Sequence, residues 1–125
     1  MLNTRNAAKK ALCNIPIRGF KVGFYGLGNM GIPMCNNIIK SGNEVQAYDV
    51  FPGAREAAKA AGLEVTEDEA SCAKGVDFIV TCLPNGGIVG DLLTKEGGIF
   101  ESADKGTLVC DVSTILPADS QKFFE

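Results

Sequence analysis

K-V-G-F-Y-G-L-G-N-M-G, residues Lys21–Gly31, is the stretch that decides the fold. Lys21–Tyr25 is a short apolar run that reads as a strand, and it passes without a linker into G-x-G-x-x-G at Gly26, Gly28 and Gly31. Across Asn29–Ser41, Ile32, Met34, Cys35, Ile38 and Ile39 supply the broad apolar face of a helix. Pro33 falls in its first turn, where a missing N–H costs nothing, and Gly42 stands where a left-handed stop belongs. The glycine string alone is weak evidence; strand, turn and helix in direct succession give it meaning. Gly26 permits the tight exit from the strand, Gly28 lets backbone approach a diphosphate, and Gly31 lets helix and strand pack closely. Free amides and the helix dipole then favour the anion. Gly26, Leu27, Gly28, Asn29, Met30 and Gly31 are therefore expected to hold a dinucleotide.

A second strand, Glu44–Val50, carries Asp49 near its end, 18 residues beyond Gly31. That spacing suits a carboxylate on the ribose hydroxyls. A 2′-phosphate placed about 4 Å from it would meet a repulsion of roughly 1 to 4 kcal/mol. The nearest base, Arg55, lies in the following helix, so the expected cofactor is NAD and not NADP. The rest of the chain continues the alternation: a helix at Arg55–Ala61, a strand at Leu63–Val65, and a helix opened by capping-box spacing in Thr66-Glu67-Asp68-Glu69. Then come a strand at Val76–Cys82, a helix at Gly86–Leu93, a strand at Thr107–Asp111 and a helix from Pro117 to Glu125. Repeated βα units joined by right-handed crossovers predict a Rossmann-type, doubly wound parallel α/β sheet of strand order 3-2-1-4-5.

Composition narrows the function classes. The chain has 125 residues, 46% of them hydrophobic, and a net charge of -3, which does not suggest nucleic acid as a partner. No apolar run approaches the roughly 20 residues that span a bilayer. Five scattered cysteines without a C-x-x-C pair, and no histidine, argue against a zinc site and a disulfide framework. Small packing residues are the expectation for them. Residues 1–43 contain no acid but carry Arg5, Lys9, Lys10, Arg18, Lys21 and Lys40. Ala8, Leu12 and Ile15 would share one helix face, and Arg18-Gly19-Phe20 resembles a matrix-protease cleavage pattern. Residues 1–20 are thus expected to be a mitochondrial targeting segment, with the NAD-binding domain at 21–125 and the matrix as destination.

Three further motifs join the glycine turn: Y-D-V-F-P at Tyr48–Pro52, C-L-P-N at Cys82–Asn85 and D-V-S-T-I-L-P at Asp111–Pro117. With G-L-G-N-M-G-I-P-M at Gly26–Met34, the set resembles the β-hydroxyacid dehydrogenase family, and within it the mitochondrial 3-hydroxyisobutyrate dehydrogenase branch. The resemblance covers Lys21 to Glu125. It implies that Leu83 and Pro84 line the cofactor site, that Ser113 binds the carboxylate or hydroxyl of a small hydroxyacid, and that Thr114 touches NAD near the nicotinamide. Read from the residues alone, Ser113-Thr114 is a strand-to-helix turn suited to capping. Ile88 departs from the family, which commonly has Asn near that position. The family's catalytic Lys, in a later glycine-flanked segment, has no counterpart here, and Lys122 does not match it. The expectation is therefore a truncated NAD-binding part, its C-terminal helical domain lacking, incomplete as a catalyst by itself, with an uncovered sheet edge. The full-length enzyme is expected to be a homo-oligomer. Related semialdehyde reductases, or a non-catalytic nucleotide-binding splice product, are the alternatives. Several of the reductases prefer NADP and replace the acid, so Asp49 speaks against them.

Overall fold

The computed structural model describes residues 19–124. The expected targeting helix therefore lies outside the described residues. Five parallel strands form one sheet: β1 (Lys21–Tyr25), β2 (Glu44–Tyr48), β3 (Glu64–Val65), β4 (Phe78–Thr81) and β5 (Leu108–Asp111). Their order is β3-β2-β1-β4-β5, as the crossover argument expects. The connecting helices are α1 (Gly31–Lys40), α2 (Pro52–Ala60), α3 (Glu69–Ala73), α4 (Gly86–Thr94) and α5 (Ile99–Ser102), and α6 (Pro117–Phe124) follows β5.

Side-chain alternation along the strands builds a core on each face of the sheet. Val22, Phe24, Val45 and Ala47 pack with Cys35 of α1 and Ala58 of α2 on one side. Tyr25 and Ile79 pack with Cys72, Val89, Leu92 and Ile99 on the other. The helix on the second side approaches β1 so closely that a Cβ on Gly23 would overlap the Cys72 carbonyl. Gln46, buried on the same side, closes the end of α3: its Nε2 donates to the carbonyls of Ser71, Cys72 and Lys74 at 3.0 to 3.1 Å. No buried side-chain polar atom among the described residues lacks a partner.

Several expectations need correction. Phe20 already belongs to the fold, one residue ahead of the expected boundary. Its N–H donates to Asn43 Oδ1 at 3.0 Å, its carbonyl accepts the Glu44 amide at 2.9 Å, and its ring stands edge-on to Phe78 at 5.0 Å. The second helix starts at Pro52 and not Arg55, because proline fits the first helical turn. The third helix is capped by Asp68, whose carboxylate accepts the Ser71 amide, and not by Thr66. Thr66 is held by the sheet, its amide donating to Ala47 O at 2.9 Å. The short α5 has no counterpart in the sequence reading, since four residues between two glycine-rich turns carry no period. The cysteines divide: Cys35 and Cys72 are buried packing residues, whereas Cys110 on β5 is exposed. Burial pushes both buried thiols up to about 12, so they remain protonated.

Candidate functional site: a cleft at the carboxyl ends of β1, β2 and β4

The strand order reverses between β1 and β4, and a cleft of about 600 Å³ opens there beyond the carboxyl ends of the strands. Its floor includes Tyr25 and Gly26, one wall is Tyr48–Phe51, and the other includes Cys82, Leu83, Pro84 and Ile88.

Each glycine of the turn meets a different constraint. Gly26 has φ +103° and lies against the Cys82 carbonyl, so neither the conformation nor the space admits a side chain. A Cβ on Gly31 would overlap the Gly26 carbonyl and press on the Phe24 ring. Gly28 is the contrast: a Cβ there meets nothing within 4 Å. Packing within the protein thus does not require glycine at position 28, whereas a ligand approaching the backbone does. Gly28, Asn29 and Met30 are exposed, their amides donate to no other described residue, and Met30 supplies no side-chain cap to α1. Unpaired N–H groups at the start of a helix are suited to an anion. Leu27 contributes differently: its side chain is in the core and its N–H donates to Asp49 Oδ2 at 2.7 Å.

Asp49 ties the glycine turn to the Tyr48–Phe51 wall. Oδ2 takes the Leu27 amide and Oδ1 takes the Phe51 amide at 2.9 Å. The side chain stays half-exposed on the cleft, with lone pairs left for hydroxyl donors. The remaining charged lining residues are Glu69, Asp91 and Lys95, and Lys95 is paired with Glu69 at 2.8 Å. A diphosphate in this cleft is therefore met by backbone amides and a helix end, not by a basic cluster. The apolar flanks, with Val50, Phe51 and Ile88 exposed, suit a flat aromatic base. Tyr25, buried beneath, donates its hydroxyl to Glu69 O at 2.8 Å, and burial raises its pKa strongly, so it is a neutral donor. Glycine turn, acid and cleft volume together fit a dinucleotide.

Gly26, Gly28, Asn29, Met30, Gly31, Asp49, Leu83 and Pro84 all line the cleft. Ser113 and Thr114 do not. Ser113 is half-buried: its Oγ accepts the Leu83 amide at 2.8 Å and donates to Thr81 O at 3.4 Å. Asp111 Oδ1 accepts from Thr81 Oγ1 at 2.7 Å and from the Ser113 amide at 3.1 Å. This knot ties the end of β5 to the Leu83-Pro84 wall, a role that the sequence reading missed and that only the β4–β5 pairing reveals. Thr114 is exposed beside it. Among the described residues no group of three or more His, Cys, Asp or Glu is placed to hold a metal ion. No helix of the described chain is long and apolar enough to cross a membrane.

Comparisons with known proteins agree with this geometry. The family described as the NAD binding domain of 6-phosphogluconate dehydrogenase matches residues 21–125. The chain is 42% identical over 101 residues to the mitochondrial 3-hydroxyisobutyrate dehydrogenase of Rattus norvegicus, covering 81% of this chain and 30% of that one. It is 36% identical over 105 residues to 2-(hydroxymethyl)glutarate dehydrogenase of Eubacterium barkeri, covering 84% of this chain and 35% of the relative. The structure of Mycobacterium tuberculosis 3-hydroxyisobutyrate dehydrogenase with L-serine superposes with a TM-score of 0.78 at 32% identity, over 84% of this chain and 35% of that chain. The chain thus spans about a third of the length of these relatives. With a cleft built for a dinucleotide and a family match across nearly all described residues, the chain belongs to the β-hydroxyacid dehydrogenase family and carries its NAD-binding domain.

Proposed function

We propose that this chain is the cofactor-binding part of a dehydrogenase that oxidises a small 3-hydroxy acid, 3-hydroxyisobutyrate in the first instance, with NAD and not NADP as acceptor. 3-Hydroxyisobutyrate and 2-(hydroxymethyl)glutarate both carry a hydroxymethyl group on the carbon next to a carboxylate, so the relatives' names converge on one substrate chemistry. The product from 3-hydroxyisobutyrate is methylmalonate semialdehyde, a step of valine breakdown. The basic, acid-free start of the chain and the mitochondrial relatives support the matrix as its site. Homo-oligomerisation of the full-length enzyme belongs to the same reading.

The division of labour follows from the site. Gly28, Asn29 and Met30 hold the diphosphate on their amides, and Asp49 takes the adenosine ribose hydroxyls. When bound, the nicotinamide supplies the hydride acceptor. Ser113 holds the Leu83-Pro84 wall in place, and Thr114 is assigned to the nicotinamide. Ser113 donates to a substrate carboxylate by turning its O–H away from the Thr81 carbonyl, while its Oγ keeps the Leu83 amide. Hydride loss from an alcohol needs a group to accept its proton within hydrogen-bond reach, and this reading assigns that task to no described residue. The 125-residue chain is accordingly expected to bind NAD without turning over substrate.

The observation that carries this reading is Asp49 held at the glycine turn by the Leu27 amide, in the cleft that the open backbone of Gly28 also lines. Calorimetric titration of the chain with NAD and NADP tests it. NAD should bind about fivefold to several hundredfold more tightly, matching the repulsion of roughly 1 to 4 kcal/mol that a 2′-phosphate would meet. Equal or tighter NADP binding would refute the cofactor assignment. Turnover of 3-hydroxyisobutyrate by the chain alone would refute its incompleteness.

A further inference from the structure

Arg55 stands behind the corner that carries Asp49. It is half-buried in α2, and its Nη1 donates to the Asp49 carbonyl at 2.6 Å and to the Val50 carbonyl at 3.1 Å. Its guanidinium carbon lies 5.5 Å from the centre of the Tyr48 ring. Tyr48, Asp49 and Val50 all line the cleft, but Arg55 does not; it opens instead on a separate small polar crevice with Glu56 and Lys59. One side chain thus grips three consecutive wall residues from outside.

The grip has a directed effect. The Val50 carbonyl and the Phe51 amide belong to one planar peptide unit. Arg55 holds the oxygen of that unit, and Asp49 Oδ1 accepts from its N–H. Fixing the oxygen fixes the plane, and the plane aims the N–H that orients the carboxylate. No Arg55–Asp49 ion pair exists among the described residues, so the guanidinium leaves the remaining carboxylate lone pairs to the cleft. Arginine suits this task, because one guanidinium nitrogen reaches two carbonyls while the cation lies over an aromatic ring.

We infer that Arg55 is a positioning residue for cofactor recognition, acting through the Val50–Phe51 peptide to hold the Asp49 carboxylate at the adenosine ribose. This rests on the NAD reading above. The test uses the 125-residue chain as wild type, R55M, D49N and the double variant, titrated with NAD and with an NAD analogue lacking the adenosine 2′-hydroxyl. R55M should weaken NAD about tenfold, leave the deoxy analogue nearly unchanged, and add little to D49N in the double variant. Without ligand, the Phe51 amide should exchange its hydrogen faster in R55M than in wild type. Should R55M fail to melt cooperatively, R55K carries the comparison, with the same pattern at smaller size. Equal weakening of NAD and the deoxy analogue, full additivity with D49N, or unchanged Phe51 exchange would each overturn the inference. If wild type binds no NAD, the cofactor reading falls and this inference with it; normal NAD binding by wild type with an indifferent R55M sinks the inference alone.

Discussion

Gly28 and Gly31 lie three residues apart in one loop, yet they are glycine for different reasons, and substitution separates them. Gly31→Ala drives a methyl group into the Gly26 carbonyl, backbone that cannot move aside cheaply. It should cost about 3 kcal/mol or more. Gly28→Ala enters open space. It should leave the melting temperature nearly unchanged while weakening NAD about tenfold or more. Thermal melts and NAD titration of both variants check this; a large stability loss in Gly28→Ala would contradict it. The sequence shows both glycines and their spacing, and the packing role of Gly31 is legible from the motif. Arg55 was legible only as a base in the wrong place, because its function depends on two carbonyl directions that no side-chain pattern reports. Ser113 carries no local signal for its bond to Leu83 either, since the two are 30 residues apart.

At the level of elements, the apolar runs locate the strands and helices, and the errors fall at their ends. The start of α3 is the instructive one. Thr66 and Glu69 have capping-box spacing, but the sheet claims the Thr66 amide, and Asp68 takes the cap by accepting from both the amide and the hydroxyl of Ser71. Local spacing cannot reveal that a long-range strand bond competes for the same residue. The hydroxyl and amide of Ser71 hold the Asp68 carboxyl below its ordinary 3.8. A carboxyl depressed by folding stabilises the fold above the unfolded value and loses that contribution as pH falls through the folded value. Wild type should therefore exceed Asp68→Asn in stability at about pH 5, and the gap should narrow or vanish by about pH 2.5. Denaturant titrations of the two proteins at both pH values measure it; a gap that widens in acid would reverse the assignment. The fully exposed position makes this a small effect, screened by solvent.

For the whole molecule, strand order was readable because handedness leaves few ways to wind five parallel strands, and the site followed from it, since the reversal of order fixes where the cleft opens. The uncovered edge was also expected, and β5 bears it out: Leu108 is 60% exposed, Val109 39%, and Val112 and Leu116 beyond it are exposed too. A parallel strand is normally covered on both faces. The chain should therefore self-associate as its concentration rises, and Val109→Lys should suppress this several-fold by placing a charge on the edge. Light scattering over a concentration series decides; a wild-type chain that stays monomeric throughout would exclude the edge as a sticky surface.

The order β3-β2-β1-β4-β5 also bears on how the protein is made. The first strand to leave the ribosome is the middle of the finished sheet, and β4, its second neighbour, pairs with it across 56 residues. At about 5 to 20 residues per second, β1 waits roughly 3 to 11 seconds for that partner. Until Leu83 and Pro84 emerge, the nascent chain has a glycine turn but no facing wall. Any help that nucleotide gives to folding by mass action arrives only after Pro84 has been translated.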